Sequence, residues 1–165
     1  MDSKTIIALA DYMGWVNHKI IFWLRNIDDL QWKEHLTSSF ESIQDTVLHI
    51  VATEKIWIDF WKNKVKPEFL QLAFKGSKNE LIEIWEQSSI DLKNFIDNFP
   101  ETQYTQPISN AGSYSNINME FQQTFLHFII HASYHRGQLV TMLRQVGFAE
   151  VSSTDLGAYY KETNT

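Results

Sequence analysis

The residues with the clearest chemical potential lie between Phe125 and Leu139, where His127, His131 and His135 stand four residues apart and make up half of the chain's six histidines. Residues at this spacing share one face of a helix. Imidazole is a hydrogen-bonding group, a general base and a ligand for first-row metal ions. Two imidazoles one turn apart are separated by about 6 Å along the axis, and they can converge on one ion through bonds of roughly 2.0–2.1 Å. His127 and His135 are about 12 Å apart by the same rise, too far to share an ion easily. The row therefore offers two ligands to one ion, and a third must come from another element. The competing reading is a set of buried histidines, each hydrogen-bonded to a neighbour. A four-spaced row among Phe125, Leu126, Phe128, Ile129, Ile130 and Leu139 weighs toward metal binding. The same apolar density predicts a largely buried helix.

Of the remaining histidines, His49 lies between Leu48 and Ile50-Val51 and is the best third ligand on burial alone. His18 sits beside Lys19 and His35 falls in a connecting segment, so neither matches a buried ligand. His131 and His135 have the spacing of the zinc-protease His-Glu-x-x-His motif, but Ala132 stands where that motif carries its general base. A peptidase reading thereby loses its base. Asp45, one turn before His49, reads as a solvated first-turn acid. Gln138, three residues after His135, can orient a ligand or a water. Arg136 points off the ligand face and reads as a helix-end or interhelix salt-bridge partner.

These residues need long helices to position them. The chain has 165 residues, 44% of them hydrophobic, with only six glycines and three prolines, which suits one domain, residues 1–165, built from long regular elements. Apolar positions recur at three- and four-residue steps from Ser3 to Asn26, with Asn17 as a polar interruption expected to hydrogen-bond a neighbouring helix. Ile27 to Thr37 reads as a connection. Ser38–Glu41 fits a capping box opening a second helix to about Asn63, and Ser77–Glu80 fits another opening a third helix to about Asn98, stopped by Pro100. Lys64 to Gly76 reads as a loop with Phe69, Leu70, Leu72 and Phe74 tucked onto the body. Glu101 to Asn118, around Asn110-Ala-Gly112, predicts a short hairpin or a long crossover. Asn118 is the expected N-cap of the histidine helix, and Gly147 its C-terminal stop. The predicted fold is all-α, an antiparallel four-helix bundle with that crossover or hairpin before the last helix. The polar tail is expected to order around Leu156, Tyr159 and Tyr160.

Composition excludes several classes. There is no cysteine, so there is neither a disulfide framework nor a thiolate ligand. The formal net charge of −6 gives no electrostatic footprint for nucleic acid. No apolar run approaches the ~20 residues that span a bilayer. The N-terminal apolar block is too short for a signal peptide, so the cytoplasm is the expected compartment.

With these pieces in place, the chain resembles the DinB-like family over essentially its whole length. The strongest element is His131-Ala-Ser-Tyr-His135-Arg136-Gly137-Gln138, which looks like that family's His-x-x-x-His-Arg-Gly-Gln signature. Val47-Leu-His49 through Glu54 and Trp57, Tyr12 through Asn17, and Leu143 through Gly147 followed by Asp155 to Tyr160 also match. The resemblance implies a four-helix bundle with a divalent metal held by His49, His131 and His135. It also implies which pair of the row binds, a point that spacing leaves open, and it makes His127 a core or supporting residue. Zinc is the first choice on availability, with nickel or another first-row ion as alternatives. Relatives in this superfamily imply a transferase that uses a low-molecular-weight thiol on an electrophilic substrate. A metal-dependent hydrolase and a non-catalytic, metal-stabilised stress-response or interaction protein are the alternatives. Small-molecule partners are expected, with no nucleic acid and no membrane, and a homodimer is one expected assembly.

Overall fold

The computed structural model describes residues 1–64, 66–108 and 118–163. Among these residues every regular element is helical, and there is no strand. The long helices are α1 (Ser3–Arg25), α3 (Ile43–Trp61), α5 (Lys78–Asn98) and α6 (Phe121–Gln145). The short ones are α2 (Asp29–Lys33), α4 (Leu70–Ala73) and α7 (Leu156–Thr163), with a 3₁₀ turn at Glu101–Gln103.

Local chemistry sets most helix ends. Asp2 accepts the Thr5 amide at the start of α1, and Ser77 and Glu80 form the expected capping box on α5. Past the end of α3, Asn63 enters the left-handed region at φ 52°, and Gly147 does the same after α6 at φ 88°. Three expectations are corrected. The Ile27–Thr37 connection contains α2, capped by Asp28 and Gln31 and anchored by the buried Trp32. The cap of α3 is Ser42, whose hydroxyl accepts the Asp45 amide at 3.1 Å; Ser38–Glu41 stays outside the helix because the Leu36 amide donates to the Glu41 carbonyl and closes a loop there. The N-cap of α6 is Glu120, whose amide donates to Gln123 Oε1 at 2.9 Å, and not Asn118.

Contact registers define how the long helices run. Asp11 with Lys93, Asn17 with Ser89 and Arg25 with Glu86 place α1 and α5 antiparallel. Thr46 with Met142, His49 with His131 and Trp61 with Thr124 place α3 and α6 antiparallel. Glu54 with Ser89 and Trp61 with Phe95 rise together, so α3 and α5 run parallel, contrary to an all-antiparallel order. The Lys62–Ser77 connection must therefore run back along the helices. An α5 of 21 residues is about 31 Å long, which that segment spans at ~3.3 Å per residue. Within it Leu70 is buried, whereas Phe69 and Leu72 are 56% and 78% exposed rather than tucked in. A single turn such as α4 can bury only one side.

The two ends of the segment before α6 pair antiparallel, with Ile108 donating to Met119 and a bridge between Pro107 and Glu120. The Asn110-Ala-Gly112 turn predicted for its tip lies outside the described residues. The tail forms α7, which lays Tyr159 against Tyr12 and Trp15 of α1.

The α3–α6 seam is fixed at both ends. Trp61 packs against Phe95, Phe121, Phe125 and Phe128, and its indole N–H donates to Thr124 at 2.9 Å. At the other end the Thr46 hydroxyl meets Met142 sulfur at 3.3 Å. Each large apolar side chain buried along such a seam contributes about 1.5–3 kcal/mol. Helix α6 is less buried than expected: Leu126, Ile130 and Tyr134 form an outward stripe at 43%, 61% and 61% exposure.

Candidate metal centre

Between those two anchors the seam brings His49 of α3 together with His131 and His135 of α6. One nitrogen from each ring lies within 4.8 Å of the others, the sole such cluster of three potential ligands among the described residues. The ring centroids are 5.1 Å apart for His49 and His131, 4.5 Å for His49 and His135, and 4.5 Å for His131 and His135. His49 Nε2 and His131 Nε2 are 3.4 Å apart. Two nitrogens bonded tetrahedrally to a zinc ion at roughly 2.0–2.1 Å stand about 3.4 Å from each other, so this pair already has ligand spacing.

Protonation also suits ligation. Burial holds His49 down to about 4, with the imidazole of His135 adding to the effect. His131 is likewise lowered to about 4, chiefly by burial and then by the neighbouring histidines. Both rings are therefore neutral at physiological pH and keep a lone pair to donate. His135, with 7% of its surface exposed, is oriented from behind: its Nδ1 meets Gln138 Oε1 at 2.8 Å. An amide oxygen only accepts, so in this arrangement Nδ1 carries the proton and Nε2 faces the cluster. Gln138 is held in turn, donating through Nε2 to the Ser39 hydroxyl at 2.7 Å.

The other candidates separate from this cluster. His127 lies between His131 and Trp57, its ring centroid 5.9 and 5.7 Å from theirs in tilted and edge-on contacts, and it is outside the triad. His35 is exposed beside Glu41, and His18 is exposed on α1. Asp45 accepts from the Ser42 hydroxyl at 2.7 Å within the first turn of α3. Arg136 departs from the salt-bridge expectation. It is 1% exposed and donates to Tyr12 Oη at 2.8 Å and Ser133 Oγ at 2.7 Å, with Met13 sulfur at 3.2 Å. It ties α6 to α1 through neutral groups. Asn17 bonds across helices as expected, donating to Glu54 and Ser89 at 2.9 Å each.

Phe40 escapes the sequence reading. Its ring lies 4.5 Å from His49 and 5.6 Å from His135, centroid to centroid. The available signal was a lone aromatic residue within Ser38-Ser39-Phe40-Glu41, which has no reason to sit in a polar stretch unless it packs on something.

Three imidazoles without a carboxylate partner are a donor set for zinc, nickel or a similar ion, and three protein ligands leave a coordination position open. Residues 1–164 match the model of the DinB family. The chain is also 28% identical to Protein DinB of Bacillus subtilis (strain 168) over 170 aligned residues, covering 99% of this chain and 98% of that protein. The chain belongs to the DinB family.

Proposed function

We propose that this member of the DinB family binds a divalent metal, zinc first, through His49, His131 and His135, on a four-helix bundle of α1, α3, α5 and α6. We further propose that it is a transferase joining a low-molecular-weight thiol to an electrophilic small molecule. The observation that carries the metal reading is the convergence of three ring nitrogens, two of them at ligand spacing. The ion, when bound, supplies Lewis acidity that lowers the pKa of a thiol or water in its open position.

The chain's own residues narrow the chemistry. Ala132 takes the place of the protease base, and no carboxylate joins the cluster among the described residues. Nothing there is built to pull a proton from water, which favours the more acidic thiol as nucleophile. The chain has no cysteine, so that thiol comes from solution. In the transfer, the sulfur forms a bond to the electrophilic carbon as the bond to the leaving group breaks, and the thiol proton passes to solvent. Gln138 holds His135 in the ligating tautomer throughout.

The test has two stages. Elemental analysis of protein purified without an affinity tag should show near-stoichiometric divalent metal, and a site that dialysis against zinc or nickel cannot load would refute the reading. A chromogenic electrophile should then turn over only when a thiol is added. Cleavage of esters or amides without thiol would instead mark a hydrolase. Inactivity of the metal-loaded protein would point to a metal-stabilised interaction or stress-response role.

A further inference from the structure

The segment between α2 and α3 makes two contacts with the histidine cluster although it has no regular structure. Phe40 rests on His49 and His135, and Ser39 holds the Gln138 that orients His135. Within residues 34–41 only Leu36 and Phe40 turn inward; the other side chains are exposed. The backbone bond from Leu36 to Glu41, 2.8 Å long, closes the segment on itself. A loop held by two apolar side chains and one side-chain hydrogen bond is a low-stability unit beside rigid helices.

We infer that residues 34–41 form a flap over the candidate metal centre and that Phe40 determines which thiol reaches it, favouring unbranched aliphatic thiols over bulky ones. This deepens the metal reading and rests on it. The phenyl ring packs on the edge of the triad between His49 and His135, while His127 flanks His131 and is backed in turn by Trp57. An apolar ring against two ligands excludes water and lowers the local dielectric. That environment favours a soft, weakly hydrated sulfur ligand over a hydrated anion. The same ring occupies space next to the ligands, where a branched or aromatic group beside the sulfur would collide. The Ser39–Gln138 bond couples this cover to the orientation of His135, so opening the flap also loosens one ligand.

The test uses the full chain loaded with cobalt(II), whose visible absorption reports coordination and whose sulfur charge-transfer band reports thiol binding. Wild type and Phe40→Ala are titrated with 2-mercaptoethanol and with benzyl mercaptan. Truncating Phe40 should tighten benzyl mercaptan on the order of tenfold while 2-mercaptoethanol changes by less than about threefold, the size of effect expected for reshaping an apolar pocket. Cobalt affinity should fall by no more than about tenfold, the cost of losing the Gln138 support behind His135, because Phe40 is not itself a ligand. Should Phe40→Ala lose its helical circular dichroism, Phe40→Leu is read in the same way, with a gain for benzyl mercaptan of about threefold. If both thiols shift by the same factor, or neither shifts, the flap inference is wrong and the metal reading stands. A wild type that takes up no cobalt would overturn the metal reading and the flap together.

Discussion

Two polar clusters interrupt the apolar interior, and they are built on opposite principles. On the α3–α6 seam, His49, His131 and His135 each bring one ring nitrogen within 4.8 Å of the others, and the contact between His49 and His131, at 3.4 Å, is long for a hydrogen bond. Across the interior, Asn17, Glu54 and Ser89 bond to one another from three helices, while Arg136 binds Tyr12 and Ser133. Groups that pair among themselves hold helices in register. Ring nitrogens that converge at ligand spacing, with no short hydrogen bond among them, are arranged for something from outside. The first cluster is therefore the candidate binding centre, and the second is framework.

Removing a member of each cluster should break this contrast most visibly. His49→Ala, His131→Ala and His135→Ala should each weaken metal binding by more than roughly 100-fold, while His127→Ala should stay within about threefold. Calorimetric titration of the single variants decides it. If His127→Ala loses the ion while His135→Ala keeps it, the ligand pair is shifted by one turn.

The clusters should also respond oppositely to pH. Burial raises Glu54 from 4.5 to about 7. A raised carboxyl stabilises the fold fully below its unfolded pKa, and that stability is lost as pH rises through about 7, a difference of about 3 kcal/mol. Urea unfolding of the metal-free protein should show this loss between pH 5 and pH 8, and Glu54→Gln should abolish it. His49 and His131 are lowered to about 4, so their contribution is present above the usual histidine value of 6.5 and lost as pH falls toward 4. Unfolding of His131→Ala across this lower range should be flatter than that of wild type.

Chelation should lower the melting temperature yet leave the helical circular dichroism intact, because the apolar seam holds the helices without an ion. A ligand present at 100 times its dissociation constant adds only about 2.7 kcal/mol. Loss of helix on chelation would make the histidine cluster part of the framework after all. The smallest effect is expected from Gln138→Ala, which removes the support behind His135 and should cost about tenfold in metal affinity, or about 1.4 kcal/mol.

Much of this was legible in the sequence because it is local. The four long helices follow from apolar periodicity. Their ends at Asn98 and Gln145 follow from Pro100 and Gly147, and the start of α5 from Ser77 and Glu80. The row of histidines needs only the helical repeat, and His49 stood out because its neighbours are apolar. Competing local signals were harder to rank. Ser38–Glu41 and Ser42–Asp45 both look like caps, and the choice fell to Ser42 because the Leu36–Glu41 backbone bond closes the preceding residues into a loop.

By itself, then, the sequence determined the four long helices and which histidines share a face, since both depend on groups within about four positions of one another. Only the tertiary structure decided that His49 meets His131 and His135 rather than His127. It also decided that α3 and α5 run parallel, that Arg136 donates to Tyr12 and Ser133, and that Phe40 rests on His49 and His135. These pairings join residues far apart in the chain. They are settled by which apolar faces bury the most surface against one another, and no local pattern encodes that.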